Sequence, residues 1–438
     1  MMNVQAWTAR LSFVLATAAA VGLLLTAGLR SFTLLGIGVG GLMFGAAAAW
    51  WVLTHHGMVR YLAALLAILV PVAVLVRYAV VGMLWTVIAF VALWTLATLA
   101  GRAALRADSP TPGPTEYVTP PPAHPFLIMN PRSGGGKVGT FHLDDKARDL
   151  GAEVVVLDPD HPQDVAELAR DAASRGADLL GVAGGDGTQA LVAGVAAEKN
   201  LPFMVISAGT RNHFALDLGL DREDPSTGLT ALTGDGIEIR VDLGLIGDRV
   251  FVNNASFGAY AAIVQSPHYR DDKVGTTLQM LPDLLTHHGG PRLTVRAKDL
   301  LLDAPQAVLV SNNPYQGGDP AGLGRRERLD SGVLGVLGVT VANAAQAAGI
   351  IRGRRSQGLT AVTVTEVVID ADTPEIPVGV DGEALMLPTP VHCHIEPAAL
   401  RVRVPRNRRQ APKSKPQMNW RRLTTLAFTR QKPTPLNA

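Results

Sequence analysis

The sequence predicts four membrane-spanning helices followed by a soluble α/β body whose later part is rich in β-strands. Three observations carry this. Residues 1–106 are almost uninterrupted apolar sequence without one acidic residue. From Phe126 to about Ser207, short apolar runs alternate with amphipathic stretches, the pattern of a parallel sheet covered by helices. From about Ile237, closely spaced β-branched runs take over. At 438 residues the chain exceeds one ordinary domain. A composition 48% hydrophobic and only 17% charged excludes an intrinsically disordered chain and argues against a wholly soluble one.

The apolar region is broken at Arg30, at His55, His56 and Arg60, and at Arg77, which delimits spans near 11–29, 32–53, 59–76 and 79–100. Each is close to the roughly 20 residues needed to cross the hydrocarbon of a bilayer. A signal peptide is the competing reading of 1–29, but its apolar core is long for one and more membrane-length sequence follows at once. With the N-terminus in the cytoplasm, Arg10, Arg60, Arg102 and Arg106 face inward and Arg30 and Arg77 outward, in keeping with the positive-inside tendency. The spans contain no Asp, Glu or Lys, so they read as an anchor rather than an ion pathway. The expected location is a bacterial-type plasma membrane, with the soluble part on the cytoplasmic side.

Residues 107–125 hold seven prolines and no apolar periodicity, which predicts a stiff, extended linker. A proline-rich ligand for a partner protein is the alternative. Charge is unevenly spread. Residues 1–106 carry six arginines, the last 38 residues carry eleven Lys/Arg and no acid, and the middle carries 22 basic against 37 acidic residues, which leaves a total of only +2. The single cysteine, Cys393, excludes an internal disulfide framework and a multi-cysteine zinc site.

In the first soluble lobe, 126–235, strands are expected at 126–129, 153–157, 178–183 and 203–207, with helices near 141–150, 163–175 and 188–198. Ligands in such sheets bind beyond the carboxyl ends of the strands. Three glycine clusters stand there. In the first, Asn130 to Lys137 (NPRSGGGK), Ser133 and the glycines from Gly134 let backbone N–H groups close on an anion, while Arg132 and Lys137 add positive charge. It is not a Walker A loop, because Val138 stands where Ser or Thr would bind magnesium. The second is Gly184, Gly185, Asp186, Gly187 and Thr188. Its glycines bring the backbone close to phosphate at a helix N-terminus, and Asp186 can hold magnesium or water. The same stretch satisfies a loose G-x-G-x-x-A dinucleotide pattern, and a glycine triplet after a strand can also be only a tight turn. The third includes Gly209, Thr210 and Asn212, with hydroxyl and amide at a helix start. Three such loops at successive strand ends point to nucleotide phosphates.

With these loops, VDLG (241–244), FVNNASFG (251–258), KVG (273–275), LDSGVLGV (329–336) and VDGEAL (380–385), the sequence resembles the diacylglycerol kinase catalytic-domain family. That family includes bacterial diacylglycerol kinase-like proteins and sphingosine kinases. The resemblance covers about 126–400. It implies a two-lobed fold with the active site in the cleft, ATP as cosubstrate and Mg2+ as cofactor. The second lobe, 236–400, reads independently as a β sandwich or barrel-like lobe, with helices near 258–266, 274–287 and 342–352.

Phosphoryl transfer to an alcohol needs charge neutralisation, positioning and a base near the acceptor hydroxyl. Asp381 and Glu383 flank Gly382, and in an extended segment both carboxylates share one face, so one can act as base while the other orients it or the metal. Taken alone, such a pair is more often a solvated turn. The resemblance makes it the family's acidic pair, with Asp381 as base. It further implies that Asp186 and Asp242 organise a magnesium–water network, that Asp330 lies near a second, structural metal, and that Lys273 lies in the cleft. The bland alternatives are a strand-end carboxylate for Asp242, an Asx turn for Asp330 and a solvated lysine at 273. Two positions depart from the family: His213 stands where an acid is usual, and Leu216 where an arginine often follows. His392 and His394 share a strand face without an evident third ligand, so half-buried strand histidines are the expectation.

The basic tail, 401–438, begins strand-like and then loses periodicity. Its charge suits anionic headgroups rather than nucleic acid in a chain with four spans, and Trp420, Leu423, Leu426 and Phe428 can dip into the interface. A disordered, solvated tail is the alternative. The sequence therefore reads as a membrane-anchored lipid kinase acting on diacylglycerol or a related bilayer lipid. An NAD kinase relative and a catalytically silent nucleotide-binding adaptor are the rival readings, and a homodimer is compatible with the lipid-kinase reading.

Overall fold

The protein is described from a computed structural model at residues 4–27, 30–55, 57–105, 113–161, 163–210, 212–259, 261, 290–298, 300–315, 325–340, 358–408 and 420–428. The helices expected at 274–287 and 342–352, most of that at 258–266, and Lys273 lie outside these residues. The chain forms two compact units, Met1–Pro112 with Ser414–Ala438, and Gly113–Lys413.

In the first unit, α1 (Val4–Ala27), α2 (Arg30–Thr54), α3 (Gly57–Val80) and α4 (Leu84–Leu105) follow the four apolar runs. All four are long and apolar enough to cross a membrane. α1 lies along α4, where Ser12 Oγ donates to the Ala97 carbonyl at 2.7 Å, and α2 approaches α3 where Gly41 faces Val74.

The second unit holds α5 (Lys137–Thr140), α6 (Leu143–Asp149), α7 (Val165–Ser174), α8 (Asp186–Glu198) and α9 (His213–Asp217). The C-terminal α10 (Trp420–Phe428) belongs to the first unit. It presents Leu423 and Ala427, both buried, to Ala9, Ala104 and Leu105, and Arg10 Nε donates to the Ala427 carbonyl at 2.8 Å. Two faces of the tail's apolar set thus separate: Leu423 packs on the bundle while Phe428 stays exposed.

In the second unit, strand β1 is Glu116–Val118, within the proline-rich stretch. β2 (Pro125–Met129), β3 (Glu153–Val156), β4 (Leu179–Ala183) and β5 (Phe203–Ile206) form a parallel sheet in the order β3-β2-β4-β5. β2, β4 and β5 are buried on both faces, which is why they read as unbroken apolar runs. Phe126, Ile128, Leu180, Val182, Phe203 and Val205 pack with α7 and α8. Their neighbours Leu127, Met129, Leu179, Met204 and Ile206 pack with α6 and the 3-10 turn at Pro225–Leu232. Each such side chain contributes about 1.5–3 kcal/mol of burial. α7 starts where the Asp164 carboxylate accepts from the Ala166 and Glu167 N–H groups, an N-cap.

The remaining strands are β6 (Gly236–Ile246), β7 (Arg249–Phe251), β8 (Asn254–Gly258), β9 (Leu293–Ala297), β10 (Leu300–Asp303), β11 (Ala307–Asn312), β12 (Leu334–Val339), β13 (Leu359–Val364), β14 (Glu366–Ala371), β15 (Glu375–Val380), β16 (Glu383–Pro388) and β17 (Val391–Pro405). Six make an antiparallel sheet in the order β13-β12-β11-β8-β15-β16. Its inner face (Phe257, Val308, Val310, Val336, Val378) packs on Val295, Ile369 and Cys393 of β9, β14 and β17, so the second lobe is a sandwich. β17 is long because it serves both lobes. Its first half pairs β14, its length pairs β6 with a shift between Glu396 and Leu400, and Val402 pairs Phe203 of β5 in parallel. It runs past the boundary expected at residue 400.

Candidate active site

The three glycine loops meet at the carboxyl ends of β2, β4 and β5, and glycine is what lets them meet. Gly134 has a φ of +58°, and a Cβ there would meet the Ala208 carbonyl oxygen and stand 3.2 Å from the Gly209 carbonyl carbon. A Cβ on Gly209 would meet Asn212 Oδ1 and stand 2.9 Å from the Gly184 oxygen. Two buried amides hold the arrangement. Gln189 Nε2 donates to the Gly184 carbonyl (3.0 Å) and to Asn212 Oδ1 (3.1 Å), and Asn212 Nδ2 donates to the Gly209 carbonyl (3.1 Å) and Ser207 Oγ (3.2 Å). Asn130 Oδ1 accepts from the Arg132 N–H at 3.0 Å and shapes the first loop, where the short 3-10 segment Ser133–Gly135 is interrupted by the left-handed Gly134.

The two cations of the first loop are used at its rim. Arg132 is exposed and pairs with Asp160 at 2.9 Å. Lys137 Nζ donates to the Arg222 carbonyl at 2.6 Å. Thr188 lies in the first turn of α8, against Gly184, and Thr210 is exposed.

Opposite these loops stands the β15–β16 hairpin, closed by Asp381 (φ +47°) and Gly382 (φ +87°), a two-residue turn with both φ angles positive. The Asp381 carboxylate accepts from three consecutive N–H groups: Val252 (2.8 Å, Oδ2), Asn253 (2.8 Å, Oδ1) and Asn254 (3.0 Å, Oδ1). Burial pushes its pKa up to about 7, those hydrogen bonds oppose the shift, and the charge of Asp186 adds to it. Glu383 is exposed and its side chain reaches the second glycine loop, since a Cβ on Gly187 would meet Glu383 Oε1 and stand 2.6 Å from its Cδ. Asp381 thus faces into the sandwich lobe while Glu383 crosses to the N-terminus of α8, where negative charge is favoured.

Asp186 is the first residue of α8. Burial raises its pKa, against the opposing effects of His213, the Asn253 amide and Arg326. Asp186 Oδ1 is buried without a hydrogen-bond partner among the described residues. An orphaned carboxylate oxygen beside the glycine-loop backbone fits a hard cation or its water. Asp242 and Asp330 do not fit one as they stand. Asp242 accepts from the Gly332 N–H (2.6 Å) and the Ala398 N–H (2.8 Å), and Asp330 takes both prongs of Arg328 (2.9 and 3.0 Å). They line a cavity of about 330 Å³ with Arg240 and Tyr117, and the guanidinium on Asp330 already supplies the countercharge. Among the described residues, no group of three or more His, Cys, Asp or Glu side chains could hold a metal. Asp186 thus has an unpartnered oxygen, whereas the oxygens of Asp242 and Asp330 accept from backbone and guanidinium N–H groups.

Sequence reasoning missed Gln189, Asp217, Asn253, Tyr315 and Arg326, all at or behind the site. The signal for Gln189 and Asn253 was their place beside a glycine loop and inside FVNNASFG; for Arg326 there was none.

The diacylglycerol kinase catalytic domain family model matches residues 124–246. A Bacillus subtilis diacylglycerol kinase is 34% identical over 137 residues, 30% of this chain and 45% of its own length. A Mycobacterium tuberculosis diacylglycerol kinase is 32% identical over 28% of this chain and 40% of its own length. A Cronobacter sakazakii protein carrying the YegS-like lipid kinase name is 25% identical over 48% of this chain and 72% of its own length. The chain thus spans less than half the length of the first and second of these relatives. A Bacillus anthracis structure carrying the diacylglycerol kinase name superposes with a TM-score of 0.51 at 20% identity, covering 64% of this chain and 96% of that one, which shows a shared fold.

Proposed function

We propose, from the match of residues 124–246 to the diacylglycerol kinase catalytic domain family model, that the chain is an integral-membrane lipid kinase that phosphorylates a hydroxyl of diacylglycerol or a related bilayer lipid, with its catalytic unit in the cytoplasm. The observation that carries this reading is the approach of Glu383 to Gly187, which brings an acidic hairpin against the second of three converging glycine loops. Bound ATP would supply the γ-phosphoryl group and Mg2+ the neutralising charge. The backbone of Ser133–Gly136, Gly184–Gly187 and Gly209 would cradle the phosphates, with Asn130, Thr188, Thr210 and Asn212 shaping or lining the loops. Asp186 would hold the metal through its unpartnered oxygen. Asp381, with a pKa near 7, is matched to take a proton from the acceptor hydroxyl. Glu383 would orient the metal or the acceptor from the far side of the cleft. The four apolar helices suit a substrate that stays in the bilayer, and Arg421 and Arg422 of α10 suit anionic headgroups.

The test is purified protein in mixed micelles with labelled ATP and a panel of lipids bearing a free hydroxyl. The expected result is one labelled lipid, lost in Asp381→Asn. A second reading, a silent nucleotide-binding adaptor, is favoured by His213 beside Asp186 and by the three N–H groups already on Asp381. Nucleotide binding with no labelled lipid from any acceptor would select it.

A further inference from the structure

Arg326 is among the largest fully buried side chains of the protein, 1% exposed. A guanidinium has five N–H donors in a fixed fork, and Arg326 places four of them. Nε donates to Asp217 Oδ2 at 2.7 Å, and the two partners form an ion pair with 0% and 2% side-chain exposure. Nη1 donates to the carbonyls of Val252 (2.6 Å) and Asn312 (2.8 Å), and Nη2 donates to Asn253 Oδ1 (2.8 Å). The Tyr315 ring lies 5.7 Å from its Cζ.

The segment Val252–Asn254 is therefore gripped from both polarities. Arg326 holds an oxygen of Val252 and one of Asn253, while Asp381 holds the N–H groups of all three residues. The fourth anchor, Asp217, ends α9, the helix that starts immediately after the third glycine loop. One side chain thereby connects the phosphate-loop lobe to the residues on which the catalytic hairpin rests. Burying an ion pair is a poor way to gain stability, since apolar side chains of similar volume often do as well. The fork geometry instead fixes positions, which a lysine cannot reproduce.

We propose that Arg326 is a positioning residue for phosphoryl transfer: it fixes the Val252–Asn254 backbone, and through it the Asp381-Gly382 turn and the reach of Glu383 to Gly187. The proposal rests on the lipid-kinase reading for its kinetic consequence and on the geometry alone for its structural one. Removing Arg326 by itself would strand a buried Asp217 carboxylate, so the test uses Arg326→Gln with Asp217→Asn, which removes both charges, and Arg326→Lys, which keeps the charge without the fork. Both are compared with the parent as full chains in detergent micelles. Amide hydrogen exchange at Val252–Asn254 should quicken by about tenfold or more in both variants, as local opening becomes easier. The kcat for lipid phosphorylation should fall about 100-fold, the scale of an ångström-sized misplacement. The KM for ATP should stay within about threefold, since the glycine loops are untouched. Parent-like exchange together with parent-like kcat in a folded variant would overturn the proposal, and so would a loss confined to the KM for ATP. If the double variant does not fold, Arg326→Lys carries both readouts. If the parent itself labels no lipid, the kinase reading fails while exchange at Val252–Asn254 still decides the positioning role.

Discussion

Gly187→Ala separates the chemistry from the fold. Gly187 is the second residue of α8, and its φ is not in the left-handed region, so alanine suits the backbone and can add up to about 1 kcal/mol of helix propensity. The three atoms nearest the added Cβ all belong to the Glu383 side chain. A Cβ at 187 would meet Oε1 and stand 2.6 Å from Cδ and 2.8 Å from Cγ. Carbon–carbon contacts settle near 3.5–4.0 Å, so the Glu383 carboxylate must retreat by about 1 Å. It is exposed and can swing toward solvent at little cost. A displacement of that size at a site of phosphoryl transfer costs on the order of 100-fold in kcat. The assay is labelled-ATP transfer to lipid in mixed micelles, run beside a thermal melt. The expected result is an unchanged or slightly raised Tm with a kcat reduced by that factor. An undiminished kcat in folded Gly187→Ala would refute the idea that Glu383 must stand against the second loop. A large fall in Tm would refute the idea that the side chain can give way.

Three further outcomes follow from the same geometry. Gly134→Ala, by contrast, puts its Cβ on the backbone at Ala208 from a residue with φ +58°, so a loss of more than about 1 kcal/mol in stability and a raised KM for ATP are expected together. Asp381, with a folded pKa near 7 against about 3.9 when unfolded, keeps its proton longer in the fold. Stability is therefore greatest below about pH 4 with respect to this group and is lost as pH rises from there through 7, by on the order of 4 kcal/mol, with the raised Asp186 acting in the same direction. Melts across pH should show that decline flattened in Asp381→Asn. Leu423→Asp places a charge where the parent side chain is fully buried, and trypsin cleavage after Arg421 and Arg422 should accelerate as α10 leaves α1 and α4.

The parts of this molecule that sequence makes legible are those whose physics is local. The β2, β4 and β5 strands read as apolar runs because both their faces are covered, and their bounds agree within about a residue or two. The four bundle helices read from length and hydropathy, and the glycine clusters from the turn after each strand. What stayed hidden depends on partners far away in sequence. Asp381 meets its N–H donors 127 to 129 residues distant, and Arg326 meets Asp217 across 109. No spacing rule links such positions. Arg132 and Lys137 show the complementary problem. Their charges were legible but their directions were not, because Asp160 and the Arg222 carbonyl, which hold them, belong to other loops. Glu116–Val118 sits within seven prolines and still pairs with Ile237–Ile239, since an edge strand tolerates such neighbours.

The double service of β17 sets the order in which this protein can be completed during synthesis. Phe203 waits for Val402, so the edge of β5 stays open while about 200 further residues leave the ribosome, some 10–40 s at ordinary elongation rates. Over that interval the unpaired edge can recruit other strands. The glycine loops above it cannot settle independently of the sandwich either, because the strand that closes their sheet also carries Cys393 and Ile395 into the sandwich core. A premature stop before Val391 would therefore subtract one strand from two lobes at once, and the two should melt and refold as a single cooperative body.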